Sequence, residues 1–115
     1  MLNLKKLLTS ILKELPKKAS LDNNGQTAIA SNADLNSYRT PGSYKCTNGT
    51  TAATLSNTPF TTGGFALYVI STSNSTTCAQ LLIPIAAGVA NPMFIRTYRN
   101  SAWDGWLMFT ATAVS

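Results

Sequence analysis

The sequence predicts a mainly β protein, in which a small antiparallel β-sandwich or knob-like domain follows a short N-terminal amphipathic α-helix. Three observations support this fold class. Short runs of β-branched and aromatic residues recur along the second part of the chain, and Gly, Asn, Ser, Thr or Pro separates them. Lysines and leucines are instead concentrated near the N-terminus. With 115 residues, the chain has room for one domain with a modest core.

Residues 1–16 have the periodicity of an amphipathic helix that Pro16 ends. Its apolar positions recur every three or four residues, at Leu4, Leu8, Ile11 and Leu15. We expect this helix to serve in oligomerisation or docking, because its leucine face fits a short coiled-coil seam. A basic helix lying on an anionic membrane is less favoured, since the segment lacks a bulky aromatic anchor. A helix packed on its own domain is a third interpretation.

Composition divides the rest of the chain into two parts. Residues 17–33 are small, polar and turn-prone, which is typical of a linker or an extended connection. Residues 34–115 form the predicted β-rich domain. Its β-prone runs are SYKC, AATL, GFALYVIS, AQLLIPIA, MFIRTYR and GWLMFTATAV. These runs predict about five or six strands, which are antiparallel because their connections are brief.

The net charge of +5 does not indicate a nucleic-acid surface. Residues 1–18 contain five lysines and one glutamate, which supply +4 of that charge. From Cys46 through Ile95 there is no Asp, Glu, Lys or Arg, whereas a nucleic-acid site needs several cations to neutralise phosphates. No stretch approaches the roughly 20 apolar residues of a membrane-spanning helix, and the first residues lack a tidy signal-peptide cleavage site. We therefore expect a soluble protein that binds no nucleic acid and does not insert into a membrane.

The ionisable residues argue against an enzyme. The chain has no histidine and only four carboxylates, whereas general acid and base catalysis depends on such groups. Asp34 and Asp104 are the carboxylate pair of the β-rich region, and glycoside hydrolysis would need them close together. Asp34 fits a cap or turn and Asp104 fits a turn. We expect no catalytic residue and no cofactor.

The two cysteines, Cys46 and Cys78, allow at most one intrachain disulfide. Without an export signal, free cysteines that pack as small apolar residues are favoured over a disulfide. Two cysteines without histidine are too few for a zinc site, so no metal is expected. A core this small needs a further source of stability, and we expect oligomerisation to supply it.

The segment NSAWDGW at 100–106 places two tryptophans three positions apart. A tight turn at Asn100–Ser101, or at Asp104–Gly105, would join the strands on either side into a hairpin. With the first of these turns, Tyr98 would lie opposite Trp103. The segment is therefore the candidate functional hairpin of the domain.

Alternation along the first strand of that hairpin puts Phe94, Arg96 and Tyr98 on one face. Trp106 heads an apolar run and is the better core candidate, whereas Trp103 at the turn is the better surface candidate. An exposed aromatic ring can stack on a sugar while polar side chains bond the sugar hydroxyls. The candidate ligand-binding residues are Trp103, Tyr98, Arg96, Arg99 and Asp104.

Three segments of the β-rich region carry recognisable motifs: DLNSYRTPGSYKC at 34–46, AATLSNTP at 52–59 and FIRTYRNSAWDGW at 94–106. Together, and in this order, they resemble the pyocin-knob-like domains of bacteriophage tail fibres. The shared pattern has an Asp-Leu-Asn start, a Thr-Pro-Gly turn, an Ala-Thr-Leu strand closed by proline, and an arginine-aromatic strand that leads into paired tryptophans. The resemblance covers roughly residues 33–110.

This resemblance implies a virion structural protein, assembled in the host cytoplasm, that forms a homotrimeric fibre or knob module and contacts host-surface glycans. The N-terminal helix would join three copies or dock onto other virion proteins. The chain departs from long fibres in having one module plus a helix and no extended shaft. A purely architectural head-fibre, decoration or tail-connecting protein is therefore the alternative, and an envelope-degrading enzyme is a third hypothesis.

Overall fold

The computed structural model describes residues 6, 9, 25–71, 76–85, 92–110 and 112. The leucine face predicted for residues 1–16 lies outside the described residues, so the N-terminal helix stays a prediction. Its four positions are Leu4, Leu8, Ile11 and Leu15. Among the described residues, no helix is long and apolar enough to cross a bilayer.

The described chain folds around one seven-stranded sheet. The strands are β1 (Thr27–Ala28), β2 (Gly42–Cys46), β3 (Gly64–Ile70), β4 (Cys78–Ile85), β5 (Met93–Arg99), β6 (Ala102–Trp103) and β7 (Leu107–Phe109). Their order is β1-β2-β3-β4-β5-β6, and β7 also pairs with β5. β1 is parallel to β2, while every other neighbouring pair is antiparallel. The prediction of a mainly β, mainly antiparallel domain is confirmed.

The second layer of the predicted sandwich is not a sheet in the part of the chain that the structure describes. One face of the sheet packs against a 3₁₀ turn (Leu35–Ser37), a short helix α1 (Gly49–Ala52) and their loops. The AATL run at 52–55, predicted as a strand, therefore forms the end of α1 and a turn. The reason is local, because the Asn48 side chain accepts a hydrogen bond from the Thr51 backbone N–H at 2.8 Å and caps the helix.

The folded domain begins before residue 34, within the stretch predicted as a linker. Residues 27–28 form β1, and Ile29 is buried in the core. The Ile29 N–H donates to the Lys45 carbonyl at 2.8 Å, which extends the parallel pairing by one residue. Residues 17–33 therefore include an edge strand of the sheet that their small, polar composition does not indicate.

The two faces of the sheet differ in what covers them. On one face, side chains of the central strands pack with Leu35, Ala52 and Leu55 to form the core. The opposite face, called the open face below, carries the alternate residues of β3, β4, β5 and β7. In chain order these are Gly64, Ala66, Tyr68, Ile70, Ala79, Leu81, Ile83, Ile85, Met93, Ile95, Thr97, Arg99, Leu107 and Phe109.

Cys46 and Cys78 are free and buried, as favoured from the sequence. Cys46 pairs with Phe65, which pairs with Pro84, while Cys78 lies at the other end of β4, roughly 20 Å along the strand. The two sulfurs therefore cannot be bridged. Burial raises the pKa of both thiols, which keeps them neutral at physiological pH.

Candidate functional site

The hairpin β5–β6 turns at Asn100 and Ser101, the first of the two turns that the sequence allowed. Both residues have positive φ, 53° and 61°, as a two-residue type I′ turn requires. The register places Tyr98 opposite Trp103, as predicted for this turn, and the two ring centroids are 5.1 Å apart. The hairpin thus presents an aromatic pair at one end of the sheet.

Arg96 lies between the two tryptophans. Its guanidinium carbon is 4.0 Å from the ring centroid of Trp103 and 4.3 Å from that of Trp106. Both distances are within the range of cation–π attraction, which strengthens when the cation is shielded from water. With 5 % of its surface exposed, Arg96 is part of the interior of the site.

Polar partners on two other segments, β4 and the 3₁₀ turn, hold the Arg96 guanidinium in place. Its Nε donates to Gln80 Oε1 at 2.8 Å, and its Nη1 donates to Asn36 Oδ1 at 2.9 Å. Gln80 in turn donates through Nε2 to the carbonyls of Leu35 and Tyr38. Nη2 is buried without a hydrogen-bond partner. Desolvation lowers the pKa of Arg96 to about 10, which leaves the side chain charged at neutral pH.

The two indole N–H groups are also satisfied within the chain. Trp103 donates to the Asn36 carbonyl at 3.2 Å, and Trp106 donates to the Asn57 carbonyl at 3.1 Å. Trp106 also packs against the core cluster. Both indoles are half-buried. Each tryptophan therefore combines the two roles considered from the sequence, with one part packed and one part reaching the surface.

Asp34 connects the loops beneath the tryptophans. Its carboxylate accepts hydrogen bonds from Asn57 Nδ2 and from the Asn36 backbone N–H, each at 2.8 Å. These two hydrogen bonds, chiefly the one from Asn57, lower the pKa of Asp34 below its ordinary value. Asp34 thus acts as the cap that the sequence suggested, at the start of the 3₁₀ turn.

The solvent-facing part of the site is built on Tyr98 and the residues around it. Arg39 donates through Nη1 to the Tyr98 hydroxyl at 2.6 Å, and its guanidinium carbon lies 4.7 Å from the ring centroid. On the other side of β5, the exposed Arg99 and Asp104 form an ion pair of 3.6 Å. Asp104 Oδ2 also accepts a hydrogen bond from the Thr97 hydroxyl at 2.8 Å. The ion pair and the tyrosine thus surround the hairpin end with polar groups.

The structure therefore brings all five predicted residues to one hairpin but divides them by accessibility. Arg96 is internal, Tyr98 and Trp103 are half-buried, and Arg99 and Asp104 are exposed. Arg39, from the motif segment at 34–46, also joins this site, and nothing in that segment indicates that its side chain would lie beside Tyr98.

Shallow clefts flank the hairpin. The more polar one, called the hairpin cleft below, has a volume of about 420 Å³ and is lined by Arg39, Thr76, Thr77, Tyr98, Asn100 and Ser101. A second cleft, of about 320 Å³, shares Thr77 and Tyr98 and is lined mainly by apolar atoms. Hydroxyl, amide and guanidinium groups beside an aromatic ring suit a hydroxylated ligand.

Comparisons with known proteins give likenesses of structure. No protein-family model matches the chain, and no curated protein matches it in sequence. The chain is similar to an N-truncated R2-type pyocin tail fibre, with a TM-score of 0.64 and 18% identity over 73% of this chain. It is also similar to the C-terminal part of the R1 pyocin fibre of P. aeruginosa, with a TM-score of 0.62 and 17% identity over 73% of this chain.

The matched region spans only 32% of the R2-type structure and 21% of the R1 structure. Identities this low carry information on fold alone. At that level they agree with the motifs at 34–46 and 94–106, which pointed to the same group of proteins. The described chain has a fold shared with domains of the R-type pyocin tail fibres, and the predicted resemblance to a tail-fibre domain is confirmed at the level of the fold.

Proposed function

We propose that this chain is a structural module of a phage-tail-like appendage, which assembles as a homotrimer in the host cytoplasm and contacts glycans on the host cell surface. The observation that carries this proposal is the fold shared with pyocin tail fibres. The N-terminal helix joins copies of the chain or docks onto other virion proteins. The role is non-enzymatic and needs no cofactor or metal.

The hairpin is the part of the module that we assign to the host surface. Its cleft combines a half-buried tyrosine ring with the Arg39 guanidinium and the turn residues Asn100 and Ser101. Arg99 and Asp104 add exposed polar groups on the neighbouring side. Because Arg96 and the indole N–H groups already have partners within the chain, they fix the hairpin and leave ligand contact to these outer residues.

A purely architectural role is the second candidate. It is favoured by the fact that Arg96, Trp103 and Trp106 direct their nitrogen donors inward, to groups of the same chain. A module whose buried polar groups serve its own fold could decorate a head or join tail parts without binding a host molecule.

Binding of the full-length protein to host bacteria and to a glycan array separates the two roles. Replacing Arg39 and Arg99 together by alanine should weaken binding at least about 10-fold, because both cations border the hairpin. Lys45→Ala removes one cation from β2, three strands away from β5, and should leave binding unchanged. If the wild-type protein binds neither cells nor glycans in its native oligomeric state, the architectural role replaces the host-contact role.

A further inference from the structure

The open face of the sheet is apolar across four strands. Along one row of the register, Tyr68 pairs with Leu81, Leu81 with Ile95, and Ile95 with Leu107. None of the open-face residues belongs to the core cluster. Of the seven large apolar residues that are exposed in the described part of the chain, six lie on this face: Tyr68, Ile70, Ile85, Met93, Leu107 and Phe109.

The size of this face is at the upper end of the apolar patches that monomeric proteins expose. The six exposed side chains together present on the order of 600 Å² of surface, close to the ~800 Å² that each partner buries in a standard interface. Exposed apolar patches of more than a few hundred Å² generally mark an interaction site. The open face is therefore large enough to bind a partner of its own.

The open face is uncharged and aliphatic, which favours a partner surface that is also uncharged and aliphatic. No Asp, Glu, Lys or Arg occurs from Cys46 through Ile95, so β3, β4 and the first three residues of β5 contribute no charge. Two cations border this neutral area: Arg99 at the far end of β5, and Lys45 of β2, which pairs with Ala66. A neutral aliphatic face has no charge pattern with which to select an unlike partner, and identical copies of it meet without repulsion around a symmetry axis.

We propose that the open face is the interface between copies of this chain. Sheets pack face to face about 10 Å apart with their inner side chains interdigitated. A second copy would thus supply the missing layer of the sandwich that the alternating sequence predicts. This interface is separate from the predicted leucine face of residues 1–16, and it does not depend on whether the hairpin binds a glycan.

Two methionines on neighbouring strands provide a matched test in the full-length chain. Met93 lies on the open face, whereas Met108 pairs with Phe94 and points to the opposite side of the sheet, where it is also exposed. Met93→Glu should weaken self-association about 100-fold in sedimentation equilibrium, because a charge would enter an apolar interface. Met108→Glu should leave self-association unchanged. Equal behaviour of the two variants would overturn the proposal.

Oxidation of the wild-type protein gives a readout that does not depend on the folding of a variant. In a lone chain, Met93 and Met108 are 44% and 63% exposed, so peroxide should oxidise both at comparable rates. In the assembled protein, Met93 should react about 10-fold more slowly than Met108 if copies cover the open face.

A wild-type protein that is monomeric at micromolar concentration overturns the proposal, whether the face is then free or covered by the chain's own N-terminal segment. An oligomer that Leu8→Asp, Ile11→Asp dissociates while Met93→Glu does not would also overturn it.

Discussion

At the scale of single residues, Arg96 organises the candidate site. The alternation of β5 predicts that Arg96 shares a face with Phe94 and Tyr98, and the structure agrees. The sequence could not show that its guanidinium would be enclosed, because the enclosing groups, Gln80 and Asn36, come from distant segments. From sequence alone, an arginine is expected at the surface unless its buried partners are known.

Replacing Arg96 by methionine should therefore destabilise the fold. Methionine would keep much of the packing between the indoles, but Gln80 Oε1 and Asn36 Oδ1 would lose their donor. We expect the free energy of unfolding, measured by urea denaturation, to fall by about 2–4 kcal/mol. Arg99→Met removes an arginine from an exposed ion pair on the same strand and should change stability by less than about 1 kcal/mol. Similar losses in the two variants would contradict a structural role for Arg96.

Asp34 should make stability depend on acid pH. Its hydrogen bonds lower its pKa in the folded chain, so they stabilise the fold above the pKa of the unfolded state and are lost as pH falls through the folded value. Between pH 5 and pH 2, this loss should add to the decrease in unfolding free energy. Thermal melts of Asp34→Asn should lack this contribution, whereas Asp104→Asn should retain it. An unchanged pH profile in Asp34→Asn would show that the cap does not contribute to stability.

At the scale of elements, local rules succeed where a turn or strand is determined by its own residues. The Asn100–Ser101 hairpin and its register follow from turn chemistry and strand alternation, and both are found. The AATL run at 52–55 has a β-prone composition but forms the end of a helix, because Asn48 begins that helix four residues earlier. The Asn48 cap therefore favours a helix here, because a run that contains two alanines has only a weak preference for a strand.

The hairpin turn also offers a way to stabilise the protein. Ser101 holds φ at 61°, a conformation that glycine adopts at no steric cost. Ser101→Gly should raise the free energy of unfolding by about 0.5 kcal/mol and the Tm by a few degrees, measured calorimetrically. The same substitution at Ser43, within β2, should lower stability by about 0.5–1 kcal/mol. Destabilisation by Ser101→Gly would mean that the serine side chain contributes more than its backbone strain costs.

At the scale of the whole molecule, composition and periodicity were sufficient for the fold class but not for its layers. The alternation of apolar residues that predicts a sandwich also occurs in a single sheet with two different faces. Phe65 and Leu67 belong to the core cluster, whereas Tyr68 and Ile70 on the other face are exposed. Alternation identifies which residues lie on a face and does not identify what covers that face. The parallel strand β1 was not predicted, because two residues are too few to show the alternation of apolar and polar residues that identifies a strand.

The short strands at the margins of the sheet bear on how an array of such molecules could grow. β1 and β6 have two residues each and β7 has three, so the lateral margins offer few unsatisfied backbone groups to another chain. Side-by-side extension into a continuous ribbon is therefore disfavoured. If copies assemble through the open face as proposed, a closed particle of fixed stoichiometry is then favoured over a ribbon, and it would display several hairpins at once.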